Sequence, residues 1–86
     1  MGQKKVKMYT LSTCSHCMTA KQWMKDHGIE FDYTDVDLLE GDERKSMIRE
    51  VREYNPNTTF PTIIIGDEVI IGAEEAQLKK ALDLEN

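Results

Sequence analysis

The sequence predicts one α/β domain over residues 1–86, with helices covering the faces of a mixed four-stranded sheet. Short apolar segments, helical stripes between them and a Gly66-Asp67 turn signal carry this prediction. Their order along the chain is β-α-β-α-β-β-α. The first β-α-β unit implies two parallel strands with a right-handed crossover, and the hairpin adds two antiparallel strands. The first strand is therefore expected inside the sheet.

The individual elements follow from local periodicity and from turn residues. The strands are predicted from alternating or continuous apolar residues, at residues 5–10, 29–36, 62–65 and 68–71. The helices are predicted from apolar stripes of helical period, at residues 15–27, 42–54 and 74–84. Gly28 is a natural stop for the first helix, and Asn55-Pro56 ends the second.

Composition excludes several classes of protein. The chain has 11 basic and 16 acidic residues and a net charge of −5, so nucleic acid is not an expected partner. It has no apolar run of about 18 residues, so no membrane association is expected. Residues 1–10 are too polar for a signal peptide, which indicates a cytoplasmic protein. No exposed apolar stripe demands a partner, so a monomer is expected.

The two cysteines, Cys14 and Cys17, are the residues that point to chemistry. A disulfide between them closes too small a loop to serve as a scaffold. A zinc site needs four ligands. Only His16 and His27 could join the cysteines, and His27 falls about three turns down the helix. The pair therefore predicts redox chemistry rather than a structural disulfide or a metal site.

The position of the pair at a helix start predicts different roles for the two thiols. Backbone N–H groups and the helix dipole favour a thiolate on Cys14, although the dipole contributes only about 0.3–1 kcal/mol. Hydrogen bonds from the Cys17 thiol and from backbone N–H groups must add more. Cys14 is expected to be exposed and to attack a disulfide; Cys17, facing the sheet, then releases the product. His16 either stabilises the thiolate when protonated or faces solvent with little effect.

At Cys14-Ser15-His16-Cys17 the sequence resembles the glutaredoxins, which have a thioredoxin-like fold, and the similarity covers nearly the whole chain. It rests also on three flanking segments, which are residues 8–14, 59–62 and 71–75. The resemblance implies a cis bond before Pro61, although such bonds are cis only about 5–6% of the time. It then implies that the Phe60 backbone faces Cys14 and pairs with a substrate chain. Otherwise Phe60 is a buried residue at a strand entry.

The resemblance also assigns substrate binding to residues around the cysteines. They are Thr13, Ser15 and His16; Thr59, Phe60 and Pro61; and Gly72, Ala73, Glu74 and Glu75. Glu75 is the better match to the family position that accepts the γ-glutamyl ammonium of glutathione. Leu11 stands where many members carry a lysine for a glutathione carboxylate. Lys21 is either a substitute for that lysine or a solvated surface charge.

These departures are similar to a subgroup of redoxins that a flavoprotein reductase reduces. The resemblance implies no bound cofactor, with glutathione or such a reductase as the electron source. The implied substrates are protein disulfides or glutathione mixed disulfides, and ribonucleotide reductase is the target of the best-known members. A second class of function is a [2Fe–2S] carrier, with the cluster bridging two chains. The presence of Cys17 and the poor glutathione contacts argue against it.

Overall fold

In the computed structural model, which describes residues 5–82, four strands form one mixed sheet. The strands are β1 (Val6–Thr10), β2 (Asp32–Asp35), β3 (Thr62–Ile65) and β4 (Glu68–Ile71). Their spatial order is β2-β1-β3-β4. β1 runs parallel to β2 and antiparallel to β3, and β4 runs antiparallel to β3. The predicted internal position of the first strand is confirmed, because β1 has a partner on each side.

Three helices join these strands, namely α1 (Ser15–Asp26), α2 (Gly41–Tyr54) and α3 (Glu75–Ala81). α1 ends one residue before the predicted residue 27. Gly28 stops it as predicted, with a φ of 66° and its N–H donated to a carbonyl of the last turn. The third helix begins one residue later than predicted, and the predicted end at Leu84 lies outside the described residues. Within residues 5–82, none of the helices combines the length and apolar character needed to cross a membrane.

The second strand is shorter than the predicted segment of residues 29–36. β2 lies at the sheet edge, where it pairs only with β1, from Asp32 to Asp35. Ile29 belongs to the turn after α1, because its N–H donates to the Met24 carbonyl at 2.9 Å. Val36 begins a 3₁₀ turn, Val36–Leu38, that the sequence did not predict. The apolar alternation of Ile29, Phe31 and Tyr33 therefore extends beyond the residues that pair as a strand.

The buried apolar residues form two clusters, one on each face of the sheet. The first, here called the aliphatic core, contains Val6, Met8, Ala20, Met24, Ile29, Ile63, Ile65, Ile70, Leu78 and Ala81. The second, here called the Tyr9 cluster, contains Tyr9, Val36 and Val51 and packs against Leu11, Met47, Ile48, Phe60 and Ile64. Neighbouring residues of a strand point to opposite faces, so β1 and β3 contribute to both clusters.

Candidate active site

Cys14 occupies the N-cap of α1, at the end of the loop that leaves β1. Its backbone is extended (φ −87°, ψ 119°), and its Sγ accepts the N–H of Cys17 at 3.3 Å. This donor is one of the first helical N–H groups, which have no partner within the helix. The structure therefore supplies the backbone hydrogen bond that a Cys14 thiolate needs. The side chain is half-buried, so the expectation of an exposed Cys14 is met only in part.

Cys17 lies one turn deeper and is fully buried, as the helical stripe predicts. Its sulfur accepts the backbone N–H of Leu11 at 3.4 Å. Both cysteines are free thiols in this structure. Because only Cys14 is partly open to solvent, an incoming disulfide meets Cys14 before Cys17.

The two thiols differ in acidity as well as in exposure. Burial of the Cys14 thiol opposes ionisation. Hydrogen bonds from the Cys17 thiol and from two backbone N–H groups, together with the charge of Lys21, outweigh it and lower the pKa of Cys14. Desolvation, followed by the interaction with Cys14, raises the pKa of Cys17 to about 12. The arrangement therefore concentrates negative charge on Cys14.

A groove of about 320 Å³ opens beside the first turn of α1. Six residues from three separate segments line it, namely His16, Phe60, Ile71, Gly72, Ala73 and Glu74. Five of them belong to the predicted substrate-binding set, and Ile71 was not in that set. Ile71 ends β4 with 49% of its surface exposed, and its position directly before the predicted residues Gly72 and Ala73 was the signal available in the sequence. His16 is exposed, and both interpretations of its role stay predictions.

The Phe60–Pro61 peptide bond is cis, as the resemblance implies. The carbonyl of Pro61 accepts the N–H of Gly72 at 2.8 Å. Gly72 has a φ of 92°, a backbone conformation that favours glycine. This contact joins two of the three segments that line the groove. Phe60 also packs on the Tyr9 cluster, so its interpretation as a packing residue holds beside its place in the groove.

The remaining predicted site residues lie outside the groove lining. Thr13 and Ser15 flank Cys14 and are exposed. The Glu75 carboxylate lies 3.4 Å from Lys79 Nζ and faces the first helix. The buried indole N–H of Trp23 makes no hydrogen bond of good geometry with the described residues, but with Lys79 it lowers the pKa of Glu75. The structure thus brings Glu74 to the groove and directs Glu75 elsewhere.

Asn55 is a buried residue that the sequence identified only as a helix end. Its Nδ2 donates to the Thr59 hydroxyl at 2.8 Å, to the Thr59 carbonyl at 3.2 Å and to the Thr62 hydroxyl at 3.2 Å. Its Oδ1 accepts the N–H of Asn57 at 3.1 Å. This network holds the loop that carries Phe60 and Pro61. Thr59, a predicted site residue, thus serves as an acceptor for Asn55.

Lys21 is not the solvated surface charge that we considered. Its Nζ lies 3.0 Å from Asp35 Oδ1, and the two side chains are only 17% and 15% exposed. The Thr10 hydroxyl donates to the same carboxylate oxygen at 2.5 Å. Sequence reasoning missed Asp35 and Thr10. The available signal was that Lys21 follows Cys17 by four positions and so shares its helix face.

The second class of function, a cluster carrier, requires metal ligands. Within the described part of the chain, no group of three or more His, Cys, Asp or Glu side chains is placed to hold a metal ion. A bridging [2Fe–2S] cluster takes its ligands from two chains. That alternative therefore stays a prediction.

Comparisons with known proteins show which family the chain is similar to. A family model described as Glutaredoxin matches residues 6–70. The crystal structure of Methanosarcina acetivorans methanoredoxin is similar, with a TM-score of 0.88 and 42% identity, over 95% of this chain and 87% of that one. The glutaredoxin of Methanosarcina mazei Go1 has a TM-score of 0.83 and 46% identity, over 92% and 78% of the two chains.

A known protein is also similar in sequence along nearly its whole length. It is an uncharacterized glutaredoxin-like 8.6 kDa protein from the rubredoxin operon of Clostridium pasteurianum. The two sequences are 28% identical over 78 residues, which is 91% of this chain and 97% of that protein. The matched solved structures share the thioredoxin-like fold, a mixed four-stranded sheet with three helices. With a C-x-x-C pair at the start of α1 and a family match from β1 to β4, the chain belongs to the glutaredoxin family.

Proposed function

We propose that this protein is a dithiol–disulfide oxidoreductase that reduces protein disulfides through Cys14 and Cys17. The observation that carries the proposal is the inequality of the two thiols. Cys14 is partly open, accepts a helix N–H at 3.3 Å and has a lowered pKa. Cys17 is buried and has a raised pKa. One thiol is therefore prepared to attack and the other is protected until it is needed.

The chemistry follows in two displacements. The Cys14 thiolate attacks one sulfur of a substrate disulfide; the substrate S–S bond breaks, and the leaving thiolate takes a proton from water. Cys17 then loses its proton to solvent and attacks Cys14 Sγ; the bond between Cys14 and the substrate breaks, and the second substrate sulfur leaves as a thiolate that takes a proton from water. Two electrons have passed to the substrate, and a Cys14–Cys17 disulfide remains. The raised pKa of Cys17 disfavours its premature ionisation before Cys14 is engaged.

The groove supports an extended substrate next to Cys14. Its apolar walls, Phe60 and Ile71, suit side chains that flank a disulfide. Beside the cis bond, the Phe60 backbone is available to pair with a substrate chain as an added strand. We therefore infer that proteins with accessible disulfides are the substrates. By likeness to the reductase-dependent subgroup, ribonucleotide reductase is one candidate target.

We further infer that a flavoprotein reductase, rather than glutathione, is the electron donor. Leu11 replaces the lysine of many glutaredoxins and packs against the Tyr9 cluster. Lys21 is held by Asp35 and the Tyr33 ring and does not line the groove, so it is not placed to bind a glutathione carboxylate there. Glu74 places a negative charge in the groove, and this charge repels the carboxylates of glutathione. A cytoplasmic location, where thiols are kept reduced, suits such a reductase-coupled carrier.

A trapping experiment tests the assignment of the two thiols. Cys17→Ser should retain the first displacement and accumulate a mixed disulfide between Cys14 and a disulfide-containing protein such as insulin. Cys14→Ser should lose disulfide reduction and form no such adduct. Non-reducing electrophoresis and mass spectrometry measure both results, with Ser46→Ala, at an exposed position of α2, as the control variant. Full reduction of insulin disulfides by Cys14→Ser would overturn the proposal.

The donor is tested by reducing the oxidised protein separately with glutathione and with NADPH plus thioredoxin reductase. We expect the reductase to restore two free thiols per chain and glutathione to act far more slowly. Recovery of both thiols by glutathione alone, at a comparable rate, would contradict the donor assignment. The Leu11→Lys variant is the matched gain-of-function control, because it restores the cation at the family position.

A further inference from the structure

The ion pair between Lys21 and Asp35 is the most sheltered one in the described residues. Its side chains are 17% and 15% exposed, whereas every side chain of the other ion pairs there is at least 31% exposed. Exposed pairs lose most of their interaction to water and salt. The charges of Lys21 and Asp35 are therefore screened less by solvent than those of the exposed pairs.

Contacts from three elements hold the pair in place. Asp35 lies at the end of β2 and Thr10 at the end of β1. The Asp35 carboxylate accepts a hydrogen bond from the Thr10 hydroxyl at 2.5 Å. Lys21 Nζ lies 3.0 Å from the same Asp35 oxygen and 4.0 Å from the ring centroid of Tyr33. The Lys21 side chain is therefore fixed by a carboxylate and by an aromatic face.

The same lysine lies on the helix face of the two cysteines. It follows Cys17 by four positions and Cys14 by seven, and residues at these spacings share a face of a helix. Helical side chains lean toward the N-terminus, and Asp35 and Thr10 hold the Lys21 ammonium group at the carboxyl ends of β1 and β2, the edge from which the Cys14 loop leaves. Consistent with this placement, the charge of Lys21 lowers the pKa of both thiols.

We propose that Lys21 is a positioning residue that stabilises negative charge on both sulfurs in turn, and that Asp35 sets how much of this charge the sulfurs experience. The proposal rests on the dithiol mechanism proposed above. In that mechanism a thiolate forms first on Cys14 and later on Cys17, so one fixed cation serves both displacements. The pair itself exchanges neither protons nor electrons, and the proton from Cys17 still goes to solvent.

Other titratable groups surround the cysteines and remain unchanged in the variants below. Tyr33 faces Lys21 from β2, and His16 lies between the cysteines on α1. Asp37, in the 3₁₀ turn, accepts the N–H and hydroxyl of Ser12 at 2.8 and 2.6 Å. Glu74 lines the groove at the start of α3. These groups form a constant background, so differences between the variants report on the pair.

The test uses opposite substitutions within one ion pair. The pH dependence of iodoacetamide alkylation of Cys14 in the reduced protein measures the thiol pKa. Lys21→Met should raise this pKa by about 0.5–1 unit, which slows alkylation about three- to tenfold below the pKa. Asp35→Asn should lower the pKa of Cys14 by about 0.2–0.5 unit, because the carboxylate that partly neutralises the Lys21 charge is lost. A merely structural pair would shift both variants in the same direction.

Two further variants serve as controls. Lys21→Arg keeps the charge and should hold the pKa of Cys14 within about 0.2 unit of the wild type. Lys7 pairs with Glu50 on the opposite face of the sheet, with an Nζ–Oε2 distance of 3.2 Å. Lys7→Met removes that cation and should leave the pKa of Cys14 unchanged. A shift in Lys7→Met as large as that in Lys21→Met would overturn the proposal.

A double variant keeps the test available if a single variant does not fold. Lys21→Met with Asp35→Leu leaves no unpaired sheltered charge. Its Cys14 pKa should lie above that of the wild type and below that of Lys21→Met. A double-variant pKa equal to the wild-type value contradicts the proposal, because the lysine then has no net effect.

The reduction potential gives a second readout. Stabilising a thiolate stabilises the reduced form and makes the couple more oxidising. Equilibration with dithiothreitol buffers should therefore show Lys21→Met to be more reducing and Asp35→Asn more oxidising than the wild type. The thiol pKa is measured without any substrate. If the wild type reduces no protein disulfide while the opposite pKa shifts appear, the proposed function fails and the role of Lys21 in thiolate stabilisation stands.

Discussion

The two faces of the sheet are stabilised by different kinds of contact. The aliphatic core is composed of apolar side chains from the sheet, α1 and α3. On the opposite face, the buried Tyr9 donates its hydroxyl to the Glu50 carboxylate, which also lies 3.2 Å from Lys7 Nζ. The rings of Tyr9 and Tyr54 stack with centroids 6.2 Å apart. The aliphatic core itself therefore depends on buried area, whereas the Tyr9 cluster also depends on directional contacts.

Because of this difference, substitutions in the two clusters should affect folding stability and the geometry of the groove to different extents. Apolar burial contributes in proportion to area and places little demand on the position of any one loop. The face under α2 also carries Phe60, which packs on the Tyr9 cluster, and Asn55, which anchors the loop before Pro61. Truncation of an aliphatic-core residue on β3 should therefore mainly lower stability, whereas damage on the Asn55 side should also reach the loop that lines the groove.

The largest expected effect on stability comes from the aliphatic core. Ile63 is fully buried, so Ile63→Ala should lower the free energy of unfolding by about 3 kcal/mol. The alkylation rate of Cys14 in the folded protein should change little, because Ile63 lies in the aliphatic core and does not line the groove. Urea unfolding and Cys14 alkylation measure the two quantities. Val69→Ala, at a position 39% exposed, is the control and should cost about 0.5 kcal/mol or less.

Asn55→Ala should have a smaller effect on stability and a larger one on activity. It leaves the loop carbonyl and hydroxyl groups without their donor, which should cost about 2 kcal/mol. Disulfide reduction should slow several-fold, because the Thr59–Pro61 segment loses its anchor. Insulin reduction and urea unfolding are the measurements. Asn57→Ala, at an exposed position, is the matched control. Unchanged activity in Asn55→Ala would break the proposed separation of the two faces.

Tyr9→Phe should have the smallest effect, about 1 kcal/mol at neutral pH. The hydroxyl of Tyr9, and then Lys7, lower the pKa of Glu50 below its usual value of 4.5. The folded state thus binds this proton less readily than the unfolded state. The stabilisation is present above pH 4.5 and is lost as the pH falls through the lowered value. The difference between wild type and variant should shrink accordingly in urea unfolding at pH 7 and pH 3.

The control for this prediction is Tyr54→Phe. It keeps a stacking ring beside Tyr9 and leaves the contact between Tyr9 and Glu50 in place. Its free energy of unfolding should depend on pH as in the wild type. A Tyr9→Phe difference that grows on acidification would show that the pair of Tyr9 and Glu50 does not stabilise the folded state through an ionised carboxylate.

Much of the site was predictable because it is built from local geometry. The extended N-cap at Cys14 and the burial of Cys17 depend on residues within one helical turn. The strands β3 and β4 have the predicted bounds, since an apolar run and a two-residue turn define the hairpin. Five predicted groove residues line the groove, although that assignment drew on the family resemblance.

The error at Lys21 has the same kind of explanation as the omission of Asn55. In isolation, a lysine in an amphipathic helix is most simply assigned to solvent. Its partner Asp35 is fourteen positions away, and the two meet only because β2 pairs in parallel with β1 beside α1. Asn55 likewise acquires its function only when Thr59 and Thr62 fold back onto it.

The order of elements, the internal first strand and the unequal cysteines were therefore contained in the sequence, because each depends on periodicity, on caps or on a turn. The parallel register of β1 with β2 brings Thr10, Asp35 and Lys21 together, and the packing of the hairpin against α1 forms the groove. These arrangements depend on contacts between residues distant in the chain. No local pattern encodes such contacts, and they determine which charges reach the two sulfurs.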